Sequence, residues 1–431
     1  MEVGNQIYNF CKELWPINRS ITGDGVRKTL KKIKEILPQL SIHEVPTGTD
    51  VFDWKIPKEW VIRDAWIKTP DGKKICDFKT NNLYLVGYST PIHKRLTLSE
   101  LKKNLHSLPE MPDAIPYVTS YYEERWGFCI SENEKKNLVE GEYEVFIDSD
   151  LIDGFLTYGE LLIKGQSQEE VFLSTYICHP SMANNELSGP TVTSFISKWL
   201  VEQSNLKYSY RIIFIPETIG SITYLSKNID HLKSNVKAGF NISCVGDDRD
   251  YSYLPSRNGN TLSDKISQHV LNHIHPSYKI YDWSERGSDE RQYCSPGIDL
   301  PIASIMRSKY GKYDEYHTSL DDLKNVVSPE GLAGGYNALK LAIEALENNI
   351  YPKTTVLCEP NLGKRNLYPT LSGKKLNHDI RLLKDVLTWS DGTMSLIEIA
   401  DIIRVPVWDL YPIVEILSVH NLISKEDHPQ K

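Results

Sequence analysis

The chain has 431 residues, 40% apolar and 25% charged, with a formal net charge of −8. That length exceeds one ordinary core, so two or three domains are expected. The mild negative charge argues against nucleic-acid binding through a general electrostatic field, although a local basic patch is compatible with it.

Two helical stretches open the chain. Ile7, Phe10, Cys11 and Leu14 recur at helical spacing, as do Val26, Leu30, Ile33 and Ile36, with a turn at Asn18-Arg19-Ser20-Ile21-Thr22-Gly23 between them. Residues 1–43 are therefore assigned as the N-terminal helices of a core. From 44 to 143 the texture is β-rich, with short alternating runs such as Trp60 to Ile67. Pro109, Pro112 and Pro116 exclude a regular helix there. This stretch reads as an inserted, lid-like module in which Trp54, Trp60, Trp66 and Trp126 are candidate lining residues.

Between 144 and 352 strands and helices alternate. Strands are expected at Glu170 to Ile177, Arg211 to Ile215, Ala238 to Ile242 and Leu300 to Met306. Helices are expected at Pro190 to Val201, around Ser221 to Asn228, and at Pro329 to Glu347. This is the pattern of an α/β domain with a mainly parallel sheet flanked by helices, whose ligands bind beyond the carboxyl ends of strands. Residues 353–431 begin with a linker and end in a helix-turn-helix pattern. Ser395 to Ala400 is one helix, Val405-Pro406 the turn, Trp408 to Leu417 the second helix, and Asn421 to Ser424 the start of a small wing.

Ligand-type residues concentrate in three segments that follow predicted strands. His179 and Glu186 share the first, with Asn184-Asn185 between them; imidazole nitrogen and carboxylate oxygen suit zinc. Glu217, before Gly220-Ser221, fits either a metal ligand or a general base. His317 lies in Tyr316-His317-Thr318-Ser319-Leu320-Asp321, where Thr318 with Asp321 has the look of a helix cap, and Ser288-Asp289-Glu290-Arg291 precedes it. Each segment alone is equally compatible with an ordinary turn.

In order and context, however, the segments resemble the zinc-aminopeptidase superfamily, which also includes glutaminyl cyclases and inactive receptor ectodomains. The matching elements are His179, Asn184-Asn185-Glu186-Leu187-Ser188-Gly189, Glu217 with Gly220-Ser221, Asn241 to Gly246, Ser288-Asp289-Glu290, and His317-Thr318 to Asp321. More narrowly, the full length looks like a bacterial group of aminopeptidase-like proteins that join a β-rich insert, a peptidase-like core and a C-terminal winged helix. That group is associated with polysaccharide biosynthesis. The resemblance implies a zinc-exopeptidase-like α/β fold, with the inserted domain and the winged-helix-like domain appended.

The departures from the family pattern are specific. Asn185 occupies the position of the acid that bridges two metals, and the carboxylate stands one residue later at Glu186. Glu217 is alone where the family has two acids, and Ser243 replaces a strand Asp. Fewer carboxylates leave two cations uncompensated, so one zinc is expected rather than two. The expected ligands are His179, Asn185 or Glu186, Glu217 and His317, with Asp289 beside them. Glu217 and Asp289 are the catalytic candidates, and Arg291 and Arg307 the candidates for binding a substrate carboxylate.

The resulting expectation is a zinc-dependent aminopeptidase-like hydrolase of a small amide or peptide-like substrate. The alternative is a small-ligand binding protein that has kept the fold without turnover. DNA regulation is disfavoured, because Val407 to Ile416 carries no Lys or Arg. The C-terminal module is expected to pack on the core or to form a homodimer contact. Seven cysteines without a C-x-x-C pair, and a start lacking a basic region followed by an apolar run, give a cytoplasmic expectation. No stretch approaches the ~20 apolar residues that span a bilayer.

Overall fold

A computed structural model describes residues 2–367 and 374–428. They form two compact units. One comprises the residues up to Asp264 together with Lys279–Asn337; the other comprises Lys265–Tyr278 together with the residues from Ala338 onward.

The first unit is built on an eight-stranded sheet in the order Ser41–Pro46, Phe155–Ile163, Ser209–Ile215, Glu170–Tyr176, Val236–Asn241, Ile302–Met306, Ser252–Leu254, Lys279–Ile280. Four central strands are parallel, with Leu173 paired to Ile212 on one side and to Phe240 on the other. Glu170–Tyr176 is buried at every position, including Glu170, Ser174 and Thr175, as expected of a central strand covered on both faces. Helices follow these strands at Ser188–Val201 and Ile219–Asn235. Phe155–Ile163 pairs antiparallel with Ser41–Pro46 and with Ser209–Ile215, and Ser252–Leu254 pairs antiparallel with Ile302–Met306, which makes the sheet mixed.

The N-terminal helix Glu2–Leu14 places Ile7, Phe10, Cys11 and Leu14 on its buried face, the periodicity seen in the sequence. It packs on Ser188–Val201, where Cys11 Sγ lies 3.2 Å from Thr191 Oγ1. Gly189 permits the first turn of that helix to approach the sheet, because an added Cβ would sit 2.7 Å from the Ile242 carbonyl oxygen.

The β-rich stretch forms a four-stranded antiparallel sheet in the order Lys74–Ile75, Glu59–Lys68, Glu142–Ile152, Ile92–Thr97. Its long strand Glu142–Ile152 turns at Asp153-Gly154 directly into Phe155–Ile163 of the main sheet. Trp60 is buried, donates its indole N–H to the Ser89 carbonyl and stacks on Tyr88. Trp66 stacks on Phe146, Trp126 is partly buried, and Trp54 meets Tyr122 edge-on. These tryptophans therefore belong largely to the module's own packing.

The second unit contains helices Lys374–Trp389, Leu396–Ile403 and Val407–Val419, and a strand pair of Tyr351–Thr354 with Ile423–Glu426. Ser395 caps the middle helix in a reciprocal box with Glu398. Arg404 adopts a left-handed conformation and turns the chain into the third helix, completing a winged helix-turn-helix. Among the described residues no helix is long and apolar enough to cross a membrane.

Candidate metal centre

The ligand-bearing segments gather beyond the carboxyl ends of three parallel strands. His179 follows Glu170–Tyr176, Glu217 follows Ser209–Ile215, and the His317 loop follows Ile302–Met306. Asp321 fastens the first and last of these together. Its Oδ1 accepts the backbone N–H of Asn184 at 2.7 Å, and its Oδ2 accepts the Asn185 N–H at 2.9 Å and the Tyr313 hydroxyl at 2.9 Å. No helix starts at Thr318, so the cap expected there is replaced by a long-range tie. The anchored stretch Ala183–Leu187 makes a single wide π-turn, in which Leu187 N–H bonds to the Met182 carbonyl.

His179 is buried, and its Nδ1 lies 3.0 Å from Glu186 Oε2. An ionised carboxylate can only accept, so Nδ1 carries the proton and Nε2 is left facing Glu217 Oε2 at 3.7 Å. Burial works against the charged imidazole. The bond to Glu186, with the charges of Glu186 and Glu217, outweighs burial and raises the His179 pKa. His317 is the contrasting case. Its Nε2 is buried without a partner, and burial followed by the nearby His179 pushes its pKa down to about 3. It is a neutral imidazole at physiological pH. The two rings are 5.6 Å apart between centroids.

Glu217 and Asp289 form the second half of the site. Burial raises the Glu217 pKa against the pull of His179 and Arg291. Asp289 Oδ1 accepts from Thr218 N–H and Ser221 Oγ, each at 2.7 Å, while Oδ2 is buried without a partner. Burial first, and the Glu217 charge second, push Asp289 up to about 7. Arg291 joins this group by donating to Thr218 Oγ1 at 2.6 Å. The Glu217 side chain is 21% exposed, against 7% for His179, so solvent reaches the site from the Glu217 side.

The structure thus brings His179, Glu186, Glu217, Asp289, Arg291 and His317 into one neighbourhood. Asn185 is there too: its amide nitrogen donates to the Tyr176 hydroxyl at 2.8 Å, and its Oδ1 is buried without a partner. Arg307 stands apart in its contacts: its guanidinium lies 3.8 Å from the Tyr251 ring centre. Sequence reasoning missed Arg19, whose side chain has no exposed surface and whose Nε lies 3.2 Å from Glu186 Oε1. It also missed Tyr117, whose ring lies 5.3 Å from His179 and 5.2 Å from His317. No motif marks either residue, because both act through contacts distant in sequence.

One donor grouping at this site has its ligand atoms close together. Cys178, His179 and Glu186 place one ligand atom each within 4.8 Å of one another. Those atoms already have partners: Cys178 Sγ accepts the Glu217 N–H at 3.2 Å, and His179 Nδ1 bonds Glu186. His317 Nε2, Asn185 Oδ1, Glu186 Oε1 and Asp289 Oδ2 are buried without a hydrogen-bond partner, and His179 Nε2 lies 3.7 Å from Glu217 Oε2. A histidine whose other nitrogen is held by a carboxylate is the usual form of a metal-ligating imidazole.

Residues 8–349 match the model of a family described as a domain of unknown function, DUF4910. The chain belongs to that family. Residues 349–425 match a winged helix-turn-helix model. A Clostridium acetobutylicum relative, named "Putative polysaccharide biosynthesis protein with aminopeptidase-like domain", is 49% identical over 401 residues, covering 93% of this chain and 91% of its own. The crystal structure of a putative peptidase from the same organism superposes with a TM-score of 0.93 at 46% identity, covering 98% of this chain and 97% of that one. A zinc aminopeptidase from Bacillus subtilis superposes at 0.57 with 13% identity, over 80% of this chain and 94% of that one, and shares the fold. The core is aminopeptidase-like, and the mixed α/β architecture with a C-terminal winged helix agrees with the reading of the sequence.

Proposed function

We propose that the protein is a single-zinc hydrolase of aminopeptidase type, acting on a small amide or peptide-like substrate in polysaccharide biosynthesis. The observation that carries this reading is His317, a buried neutral imidazole with an unpartnered Nε2 set beside His179. Such a nitrogen is costly to bury unless something binds it. The name of the Clostridium relative supports the biosynthetic setting. Seven free thiols suit the cytoplasm, where they stay reduced.

His179, His317 and Glu217 would hold the ion. Zinc bound there would polarise a substrate carbonyl and lower the pKa of water. Assigning Glu217 as a ligand leaves Asp289 to handle the proton. Its free Oδ2 and its pKa of about 7 suit accepting a proton and returning it to a leaving amine. Arg291, tethered by Thr218 beside Glu217, is placed to engage a substrate carboxylate.

Metal analysis of protein purified without chelator, with a panel of aminoacyl and amino-sugar amides, tests the proposal. The expected result is about one zinc per chain and turnover that chelation abolishes and zinc restores. Absence of zinc, with no effect of His179→Ala on any turnover, would sink it. A second reading, a binding protein without turnover, draws support from Asn185, a neutral amide already bonded to Tyr176. Tight binding of a panel compound with no product, zinc added, would favour it. The winged helix is read as a protein-contact element, including with a second copy of the chain. Its helix Val407–Val419 contains no Lys or Arg to meet phosphate.

A further inference from the structure

We infer that Arg19 is a positioning residue that makes the centre mononuclear, its guanidinium bringing to Glu186 the positive charge that a second cation would otherwise supply. The inference rests on the zinc reading above and concerns a residue outside every segment that suggested it. Arg19 lies in the turn between the two N-terminal helices, 160 residues before His179. Its Nε donates to the His179 carbonyl at 3.0 Å and lies 3.2 Å from Glu186 Oε1, and its Nη1 donates to the Leu14 carbonyl at 2.8 Å. Glu186 in turn bonds His179 Nδ1 at 3.0 Å. One cation therefore grips both the main chain of His179 and the carboxylate that sets its ring.

The charge count points the same way. Glu186 has no exposed surface, and a buried carboxylate requires a cation. In this fold that cation is covalently part of the chain. Asn185 and Ser243, which stand where the family resemblance places acids, are neutral and offer no charge for a second divalent ion. An ion placed at Glu186 would meet the guanidinium at close range, where like charges repel strongly. Arg19 Nη2 is buried without a partner, so the side chain is not held by a full set of structural bonds. Its position is set by Glu186 and His179 together with the Leu14 carbonyl.

Titration of metal-free protein with zinc, followed by calorimetry, tests this directly. The wild type should bind one equivalent and no second. Arg19→Met should bind zinc about 10–100-fold more weakly, because Glu186 is left without its cation and no longer holds His179 in place. Arg19→Lys, which keeps the charge, should recover most of that affinity; a merely structural arginine would show no such rescue. Since Arg19→Met buries a lone charge and can unfold, the double variant Arg19→Met/Glu186→Gln provides a neutral pair. It should keep the wild-type circular dichroism and show the same loss of zinc affinity. Two equivalents in the wild type, or wild-type affinity in both Met variants, would overturn the role of Arg19 while leaving the zinc reading standing. No zinc binding by the wild type would overturn both.

Discussion

The backbone N–H of Tyr117 donates to the carbonyl of His317 at 2.9 Å. Ser319 N–H bonds the Ile115 carbonyl at 2.9 Å, and Ile115 N–H bonds Ser319 Oγ at 3.0 Å, so the segment around Ile115–Tyr117 is laced to the loop that carries a candidate ligand. His317 itself sits at φ +57°, a conformation that needs such support. The Tyr117 ring fills the wall between the two histidines, and its hydroxyl bonds Tyr121 at 2.7 Å. Tyr117 is partly buried, so Tyr117→Ala should cost up to about 3 kcal/mol, the low end for large-to-small changes of aromatics. Tyr117→Phe should cost only about 0.5–1.5 kcal/mol, the worth of one hydrogen bond. Urea unfolding of the two variants distinguishes wall from hydroxyl.

Glu217→Gln keeps the size of the side chain and removes its charge. If Glu217 holds the ion, turnover should fall by at least about 100-fold and zinc should be lost more readily to a chelator. Asp289→Asn should lower turnover by a similar factor while zinc retention stays at the wild-type level. Equal zinc loss in both variants would contradict the division of roles between these two acids.

Asp321→Ala leaves two buried backbone N–H groups, those of Asn184 and Asn185, without acceptors. Each lost acceptor should cost about 1–3 kcal/mol. Hydrogen exchange should reveal the damage as faster exchange at residues 183–187, before any effect on the distant strands.

Glu170 reports on acid stability. Its side chain is buried between Arg211, with Nε at 2.7 Å, and His231 Nε2 at 2.9 Å. Burial alone would raise its pKa, but Arg211 and then His231 hold it below the ordinary carboxylate value. The unfolded chain therefore binds the proton more tightly. The contribution of Glu170 to stability is full above the unfolded pKa and disappears as pH falls through the lower, folded one. Arg211→Met should reverse this dependence, leave a buried carboxylate uncompensated and cost about 3–5 kcal/mol at neutral pH. Unfolding curves at a series of acid pH values check both signs.

The sequence made the core visible because its signals are local. The buried run Glu170 to Tyr176 and the helix Pro329–Glu347 stand where periodicity places them. His179, Glu217 and His317 each follow a strand, as motif order suggested. What local signals could not supply was the pairing. Thr318 and Asp321 have the spacing of a helix cap, yet Asp321 bonds residues 184 and 185. Glu186 reads as a ligand, and no local signal announces the buried Arg19 beside it. Tyr117 lies in a proline-rich stretch whose local chemistry says only that it is not helical. Arg307 reads as a substrate anchor, and nothing local in the sequence pairs its guanidinium with the Tyr251 ring.

The tie between Asp321 and Asn184 closes over 137 residues, and that between Arg19 and His179 over 160. On a ribosome adding ~5–20 residues per second, the loop of residues 183–187 would wait roughly ten seconds for the carboxylate that shapes it. During that interval neither the candidate ligand His317 nor the Asp321 tie exists, so the geometry of the site cannot form on a chain that stops short of them. On the proposed ligand set, metal capture would be a late event in the life of the polypeptide, following synthesis through residue 321.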